Sequence, residues 1–162
     1  MQLKENYTNI DRVLEGIIYQ VNDSLAYCDE FFSGYDNPEQ LFKQLRLLTT
    51  YKNDPKGIEL LQSVPTLFDN NYWHKSGYGD CDCFVILTLA ASYCNNWNEN
   101  YIYLVGRTNK APVHIYSATK YNGKIYTLDL TNAYINIERD YPLKQIIKLK
   151  TQKNNNLCHT YN

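Results

Sequence analysis

The chain has 162 residues and a formal net charge of −1, from 16 basic and 17 acidic side chains. That length fits one domain with a substantial core, and no basic run suggests nucleic acid as a partner. The apolar runs are too short to span a membrane and the N-terminus is polar, so we expect no signal peptide and no membrane partner. Five cysteines, an odd number without the spacing of a secreted scaffold, favour reduced thiols and a cytoplasmic location.

The first part of the chain predicts two amphipathic helices. Apolar residues recur at helical spacing over 10–25, and Thr8 or Asn9 can cap that helix. The Asn-Pro-Glu stretch at 37–39 is typical of the start of a second helix. After a loop punctuated by proline and glycine, residues 58–62 predict a short helical piece.

The stretch around Cys81 predicts a buried helix with a thiol at its start. Gly79 and Asp80 form a turn before Cys81, and the run over 84–94 is apolar on nearly every side, so this helix belongs in the centre of a domain. The dipole at a helix N-terminus favours the thiolate form of a cysteine. We expect Asp80 to cap the helix, and Asp82 to suit the dipole while slightly opposing the thiolate.

The second half of the chain changes to a strand pattern. Residues rich in β-formers predict strands over 101–105, 113–118, 124–130 and 134–137. Asn122-Gly123 is the strongest short-range hairpin signal, and it joins the second of these strands to the third. Residues 141–150 fit a helix or a strand equally well.

This order of elements predicts one α+β domain, with helices first and an antiparallel sheet second. We expect the domain to span 1–150, with a helical N-terminal part over 1–50 and a catalytic core over 51–150. Residues 151–162 are polar and predict a loose tail.

A cysteine nucleophile needs a base to accept its proton, and the base needs a group that orients it. His114 lies in one predicted strand and Asp129 in the next, and the hairpin brings the two strands side by side. A carboxylate beside an imidazole fixes its tautomer and stabilises the imidazolium. Cys81, His114 and Asp129 are therefore candidate catalytic residues, and His74 is the rival base. Each also has an ordinary explanation, as a small buried thiol, a half-buried strand histidine and a turn aspartate.

A metal site is the alternative use of these side chains. Cys81, Cys83, Cys94 and His114 could be grouped around a metal, but Cys-x-Cys at a helix start is not the usual zinc spacing. We therefore predict no metal and no cofactor, and interpret Cys94 and Cys28 as core thiols.

The chain also resembles a known family, on three stretches and the segment before them. The stretches are Gly79-Asp80-Cys81-Asp82 at a helix start, a later Val-His on a strand at 113–114, and Leu-Asp on the next strand at 128–129. They resemble the transglutaminase-like superfamily of papain-like cysteine enzymes. Residues 51–63, leading into that helix, resemble its small bacterial and bacteriophage branch, and the similarity covers about residues 50–132.

The resemblance implies a papain-like fold and assigns a role to each candidate residue. Cys81 would be the nucleophile, His114 the general base and acid, and Asp129 the residue that orients the histidine. The reaction implied is acyl transfer through a thioester at a peptide or amide carbonyl. The acceptor would be water in a protease or amidase, and an amine in a transglutaminase.

Two departures from the family pattern stand out. Cys83 replaces a second acid and raises redox control as a possibility, and Leu130 replaces the proline that usually follows Leu-Asp. For the oxyanion, the backbone N–H of Cys81 is one candidate donor, because helix N-termini present unpaired N–H groups. Trp73, in the loop before the helix, is a candidate for the second.

The function predicted from the sequence is that of a cysteine peptidase or amidase acting on a peptide or protein substrate, in the cytoplasm or in association with a phage. The alternative is a catalytically silent binding or structural component of a phage or mobile-element assembly that keeps the fold. Fold alone does not decide between the two.

Overall fold

The computed structural model describes residues 10–32, 34–68, 77–151 and 157–159. The helices are α1 (Ile10–Ser24), α2 (Cys28–Phe31), α3 (Pro38–Leu48), α4 (Val64–Leu67) and α5 (Cys81–Cys94), with a 3-10 turn at Leu25–Tyr27. The strands are β1 (Thr49–Tyr51), β2 (Gly77–Gly79), β3 (Glu99–Gly106), β4 (His114–Tyr121), β5 (Lys124–Leu128), β6 (Leu143–Thr151) and β7 (Leu157–His159).

The strands of the second half form an antiparallel sheet in the order β5-β4-β3-β6-β7. The short strands β1 and β2 form a separate parallel pair, in which Tyr51 lies opposite Gly79. This pair places the end of α3 beside the start of α5. The predicted α+β fold, with helices first and the sheet second, is confirmed.

Helix α5 is the buried centre of the fold, as its apolar run predicts. Its residues from Asp82 to Ser92 are all buried, and it packs between β4 and α1. Inside the contact with the sheet, the hydroxyl groups of Thr88 and Ser117 form a hydrogen bond of 2.7 Å. The helix is thereby fixed against the strand that begins at His114.

The predicted N-terminal helices are present. Helix α1 buries an apolar stripe, and its proposed caps at positions 8 and 9 lie outside the described residues. Helix α3 begins with Asn37 as its cap, whose side-chain oxygen accepts a hydrogen bond of 2.9 Å from the Gln40 N–H, followed by Pro38 in the first turn. That combination satisfies an N–H group that the helix itself leaves unpaired.

The predicted hairpin joins β4 to β5. Asn122 and Gly123 both have positive φ, at 49° and 79°, which is the backbone that a two-residue turn of this kind requires. The strands pair with Ser117 opposite Leu128, so Asp129 follows the end of β5 instead of lying within it as predicted.

Three local predictions are wrong. Residues 58–62 are not helical, and the short helix is α4 instead, which begins one residue before Pro65. Residues 134–137 form turns, with Asn136 in the left-handed region at φ 62°. Part of the predicted loose tail forms β7, which pairs with β6. The segment 141–150, for which the sequence left helix and strand open, is largely strand β6.

Cys28 and Cys94 form a disulfide, with their Cα atoms 5.1 Å apart. The prediction of reduced core thiols is therefore wrong for this pair, and the argument from reduced thiols to a cytoplasmic location loses its basis. The cross-link ties α2 to the C-terminal end of α5. Within the described ranges, no helix is both long and apolar enough to cross a membrane.

Candidate active site

His114 and Asp129 are in direct contact. The Nε2 atom of His114 lies 2.8 Å from Oδ2 of Asp129, and both side chains are largely buried. His114 is the first residue of β4 and Asp129 follows β5, so the hairpin itself brings them together. Because Nε2 is occupied by the carboxylate, Nδ1 is the ring nitrogen left to accept a proton.

Further donors hold the carboxylate of Asp129. Its Oδ1 accepts from the backbone N–H of Thr131 at 3.0 Å and from the Thr131 hydroxyl at 2.7 Å, while Asn132 donates to Oδ2 at 2.9 Å. Burial alone would raise the pKa of Asp129, but the bonds from His114 and Thr131 outweigh it and hold the pKa below its ordinary value. Asp129 is therefore ionised at neutral pH and accepts the Nε2–H of His114.

Cys81 is the first residue of α5 and is half-buried. Burial, followed by the neighbouring acids Asp82 and Asp80, raises the pKa of its thiol to about 12, and the hydrogen bond from the backbone N–H of Ile115 acts in the opposite direction. The prediction that the helix dipole favours the thiolate is therefore wrong for this structure. The thiol is neutral at pH 7.

Cys81 and His114 line the same cavity, which we call the thiol cavity. It has a volume of about 320 Å³, and the apolar residues of its lining include Leu104 and Ile115. Among the described residues, no hydrogen bond joins the Cys81 thiol to the ring of His114. The structure thus joins His114 directly to Asp129 and places Cys81 in the same cavity as His114.

A cluster of buried acids lines the same cavity as the thiol of Cys81. Asp82 is within hydrogen-bonding reach of Asp80 and Glu59, and all three are buried. Burial and these two neighbours raise the pKa of Asp82 far above its ordinary value. Asp82 therefore keeps its proton at neutral pH. Asp80 stands at the cap position of α5 but its side chain makes no cap hydrogen bond, so the predicted capping role is wrong.

The same acids are the groups that could hold a metal ion. Two overlapping sets in the described part of the chain bring their ligand atoms within 4.8 Å of one another: Asp54 with Glu59 and Asp80, and Asp80 with Asp82 and Cys83. Carboxylate oxygens suit hard cations such as Ca²⁺. The metal site considered from the sequence, with Cys81, Cys83, Cys94 and His114 as ligands, is not formed. Cys94 is bonded to Cys28 at the other end of α5 from Cys81.

Buried contacts of Cys83 hold the first turn of α5 in place. The thiol of Cys83 is fully buried and donates to the carbonyl oxygen of Leu60 at 2.9 Å. Burial raises the pKa of this thiol, which disfavours the thiolate that redox control would need. A Cβ at Gly79 would lie 2.6 Å from the Cβ of Cys83, so only glycine fits there. Cys83 is therefore a packing residue that holds the first turn of α5 against Leu60 and Gly79.

Two of the proposed residues cannot be placed. Trp73, the candidate second oxyanion donor, and His74, the rival base, lie in the segment 69–76, outside the described residues. The other proposed donor, the backbone N–H of Cys81, lies in the first turn of α5, where N–H groups have no partner within the helix.

A second cavity adjoins His114 on the side of Asp129, and we call it the arginine cavity. Its volume is about 620 Å³, and its lining includes Tyr51, Arg107, Arg139, Asp140 and Tyr141. His114 and Val113 belong to both cavities, so they form the ridge between them.

Sequence reasoning missed the roles of Asp54, Glu59, Arg107 and Arg139. The one available signal was Glu59, an acid set among apolar neighbours, which indicates a buried carboxyl group. The two arginines lie in loops, where no periodic pattern marks a charged residue as part of a cavity.

Comparisons with known proteins identify the family and a similar fold. A family model described as a transglutaminase-like domain matches residues 2–158. The fold is similar to that of a proposed cysteine protease from Cytophaga hutchinsonii, with a TM-score of 0.50 and 12% sequence identity, over 98% of this chain and 67% of that one. A comparison with curated proteins found no match.

Proposed function

Because this chain belongs to the transglutaminase-like family, we propose that it is a thiol-dependent acyl-transfer enzyme, a cysteine peptidase or amidase acting on a peptide or protein substrate. The observation that carries the proposal is the 2.8 Å contact of His114 with Asp129, on the wall of the cavity that also holds Cys81. A nucleophile, a base and an orienting carboxylate are the groups that covalent acyl transfer requires.

In the proposed first step, the sulfur of Cys81 attacks the substrate carbonyl carbon and the thiol proton passes to Nδ1 of His114. The carbonyl electron pair moves to the oxygen, which accepts from the backbone N–H of Cys81 and, in the proposal, from Trp73. Collapse of this intermediate breaks the C–N bond, and the amine leaves with the proton from His114. Water then attacks the thioester carbonyl while His114 takes a proton from it. The C–S bond breaks, the carboxylic acid leaves, and the proton returns from His114 to the sulfur of Cys81.

The raised pKa of Cys81 decides the form of catalysis within this proposal. A thiol held neutral cannot act as a preformed thiolate, so His114 must take the proton as the carbon–sulfur bond forms. Asp129 supports this because its charge stabilises the imidazolium that results. The reaction then resembles the general-base catalysis of a serine enzyme, in which the nucleophile is neutral before it attacks. It differs from a mechanism in which a thiolate and an imidazolium are already formed before the substrate binds.

The test is hydrolysis of a quenched-fluorescence peptide library by the wild type, Cys81→Ala, His114→Ala and Cys83→Ser. The last is the matched control, because it changes a cysteine two residues along the same helix to a residue that can still donate to the Leu60 carbonyl. We expect activity to vanish in the first two variants and to persist in the control. Hydrolysis that survives Cys81→Ala would refute the proposal. A dansylated primary amine, added as competitor, reports transfer to an amine.

A second candidate function is a binding or structural component that keeps the fold without catalysis. It is favoured by the neutral thiol and by the lack of a hydrogen bond between Cys81 and His114 in the described residues. It predicts no turnover of any library peptide, and peptide binding that is equal in the wild type and in Cys81→Ala.

A further inference from the structure

We infer that the arginine cavity is a subsite for a carboxylate, so that the substrate is a peptide with an acidic group on one side of the bond to be cleaved. This inference rests on the proposed function of the adjoining His114 and Cys81. The cavity is the larger of the two beside His114, at about 620 Å³ against about 320 Å³. A bound peptide that crosses the ridge at His114 therefore enters the arginine cavity on one side and the thiol cavity on the other.

The two cavities differ in the charges on their walls. In the lining of the thiol cavity three acids, Glu59, Asp80 and Asp82, outnumber one base, Lys110. The arginine cavity instead presents the guanidinium groups of Arg107 and Arg139. An acidic substrate group is thus repelled on one side of the ridge and attracted on the other. The contrast fixes which way an acidic peptide lies across the histidine.

Both guanidinium groups are available to a ligand. Within the described ranges, neither Arg107 nor Arg139 has a carboxylate within the 4.0 Å of an ion pair. Glu138, the neighbour of Arg139, is already paired with Lys144. Asp129, one of the two acids of the wall beside Asp140, is held by His114 and its own loop. A guanidinium binds a carboxylate through two parallel N–H bonds, which gives direction as well as attraction.

The loops that carry the arginines are tethered. Arg107 directly follows Gly106, where a Cβ would lie 2.4 Å from the carbonyl oxygen of Ala111, so the loop closes tightly there. That loop ends with a hydrogen bond of 2.8 Å from the Val113 N–H to the Val105 carbonyl. The loop of Arg139 is tied to β5 by Asn136, whose side chain accepts from the Thr127 N–H at 2.9 Å.

The composition of the lining favours a single carboxylate. Asp129 is already held by His114 and its own loop, so Asp140 is the acid of the wall that competes with a ligand for the two guanidinium groups. One guanidinium is then left for the ligand, which matches one carboxylate better than a phosphate dianion. Tyr51 and Tyr141 add aromatic surface for the stem of an acidic side chain or the adjacent peptide chain.

The experiment uses quenched alanine-rich peptides in which one Glu is moved through every position, the matched Gln set, and an all-alanine peptide with a free C-terminal carboxylate. We expect one Glu position to raise kcat/KM at least tenfold over Gln, and Arg107→Gln and Arg139→Gln each to reduce that preference about fivefold. Arg139→Lys should keep more of the preference for Glu over Gln than Arg139→Gln does, because a positive charge remains. Lys43→Gln, which removes an exposed positive charge on α3, is the matched control and should leave it unchanged. Preference for the free C-terminus would identify the α-carboxylate as the source.

A binding arm separates this inference from the proposed function. Fluorescence anisotropy of the labelled Glu and Gln peptides with Cys81→Ala measures recognition without turnover. Arg-dependent preference for Glu in this arm, without turnover in the wild type, supports the subsite and refutes the catalytic proposal. Cys81-dependent turnover with equal rates for Glu and Gln, or a preference that survives both arginine substitutions, overturns the inference and leaves the catalytic proposal standing.

Discussion

The disulfide between Cys28 and Cys94 should supply a large part of the stability of this fold. The perturbation is the double variant Cys28→Ser with Cys94→Ser, which removes the link between α2 and the end of α5. Both positions are remote in sequence from Cys81, the first residue of that helix. The variant therefore loosens the N-terminal helices without altering the candidate site itself.

The size of the effect follows from the length of chain that the bond closes. The two cysteines are 66 positions apart, and cross-linking a loop of that length restricts the unfolded chain by about 4 kcal/mol at 25 °C. For a domain of this size, a loss of that magnitude lowers Tm by roughly 10 °C. We expect the variant to unfold at lower urea concentration, because the restriction acts on the unfolded state.

The assay is urea unfolding of the wild type and the variant, each with and without a reductant. Reduction should bring the wild type down to the variant and leave the variant unchanged. A thiol titration in denaturant provides the control: the chain has five cysteines and two are paired, so three should react. Equal stability of the two proteins without reductant, or five reactive thiols in the wild type, would refute this reasoning.

Three further substitutions test the site. Asp129→Asn should lower kcat/KM by roughly 10²- to 10⁴-fold, because the charge that orients His114 is lost. Folding also lowers the pKa of Asp129, so the wild type has a stabilisation above about pH 4 that it loses in acid. The variant should lack this stabilisation, and unfolding curves measured at several acidic pH values would report it. Asp82→Asn should raise the free energy of unfolding at pH 7 by up to about 4 kcal/mol, because the wild-type carboxyl group must take up a proton on folding. This gain should fade towards pH 4, where the unfolded chain is protonated as well. A gain that does not change with pH would contradict a protonated Asp82. Gly79→Ala should destabilise the fold by about 1–3 kcal/mol, because the added Cβ would clash with the Cβ of Cys83. Equal thermal stability of the variant and the wild type would show that the first turn of α5 can shift to avoid this clash.

Features set by short stretches of sequence were predictable. The apolar run of α5, the cap at Asn37 and the turn at Asn122-Gly123 each contain their own physical cause. The contact of His114 with Asp129 could be predicted for the same reason, since a tight hairpin fixes which residues of its two strands lie side by side.

Features that depend on distant residues were not predictable. Glu59 reaches the start of α5 from a loop 22 positions before Cys81, so the acid cluster has no local pattern. The pairing of Cys28 with Cys94 likewise depends on how α2 packs against α5. The pKa of Cys81 was predicted in the wrong direction because burial and buried acids outweigh a helix dipole, whose effect is about 1 kcal/mol.

The central claim, that Cys81 is a nucleophile activated by His114, is tested most directly by trapping the acyl-enzyme. Each protein is mixed with p-nitrophenyl acetate, the burst of p-nitrophenol is followed, and the acetylated residue is located by mass spectrometry. The account predicts one acetyl group per chain, on Cys81, in the wild type and Cys83→Ser, and no burst in His114→Ala. Acetylation elsewhere, or a burst of equal rate in His114→Ala, would contradict it.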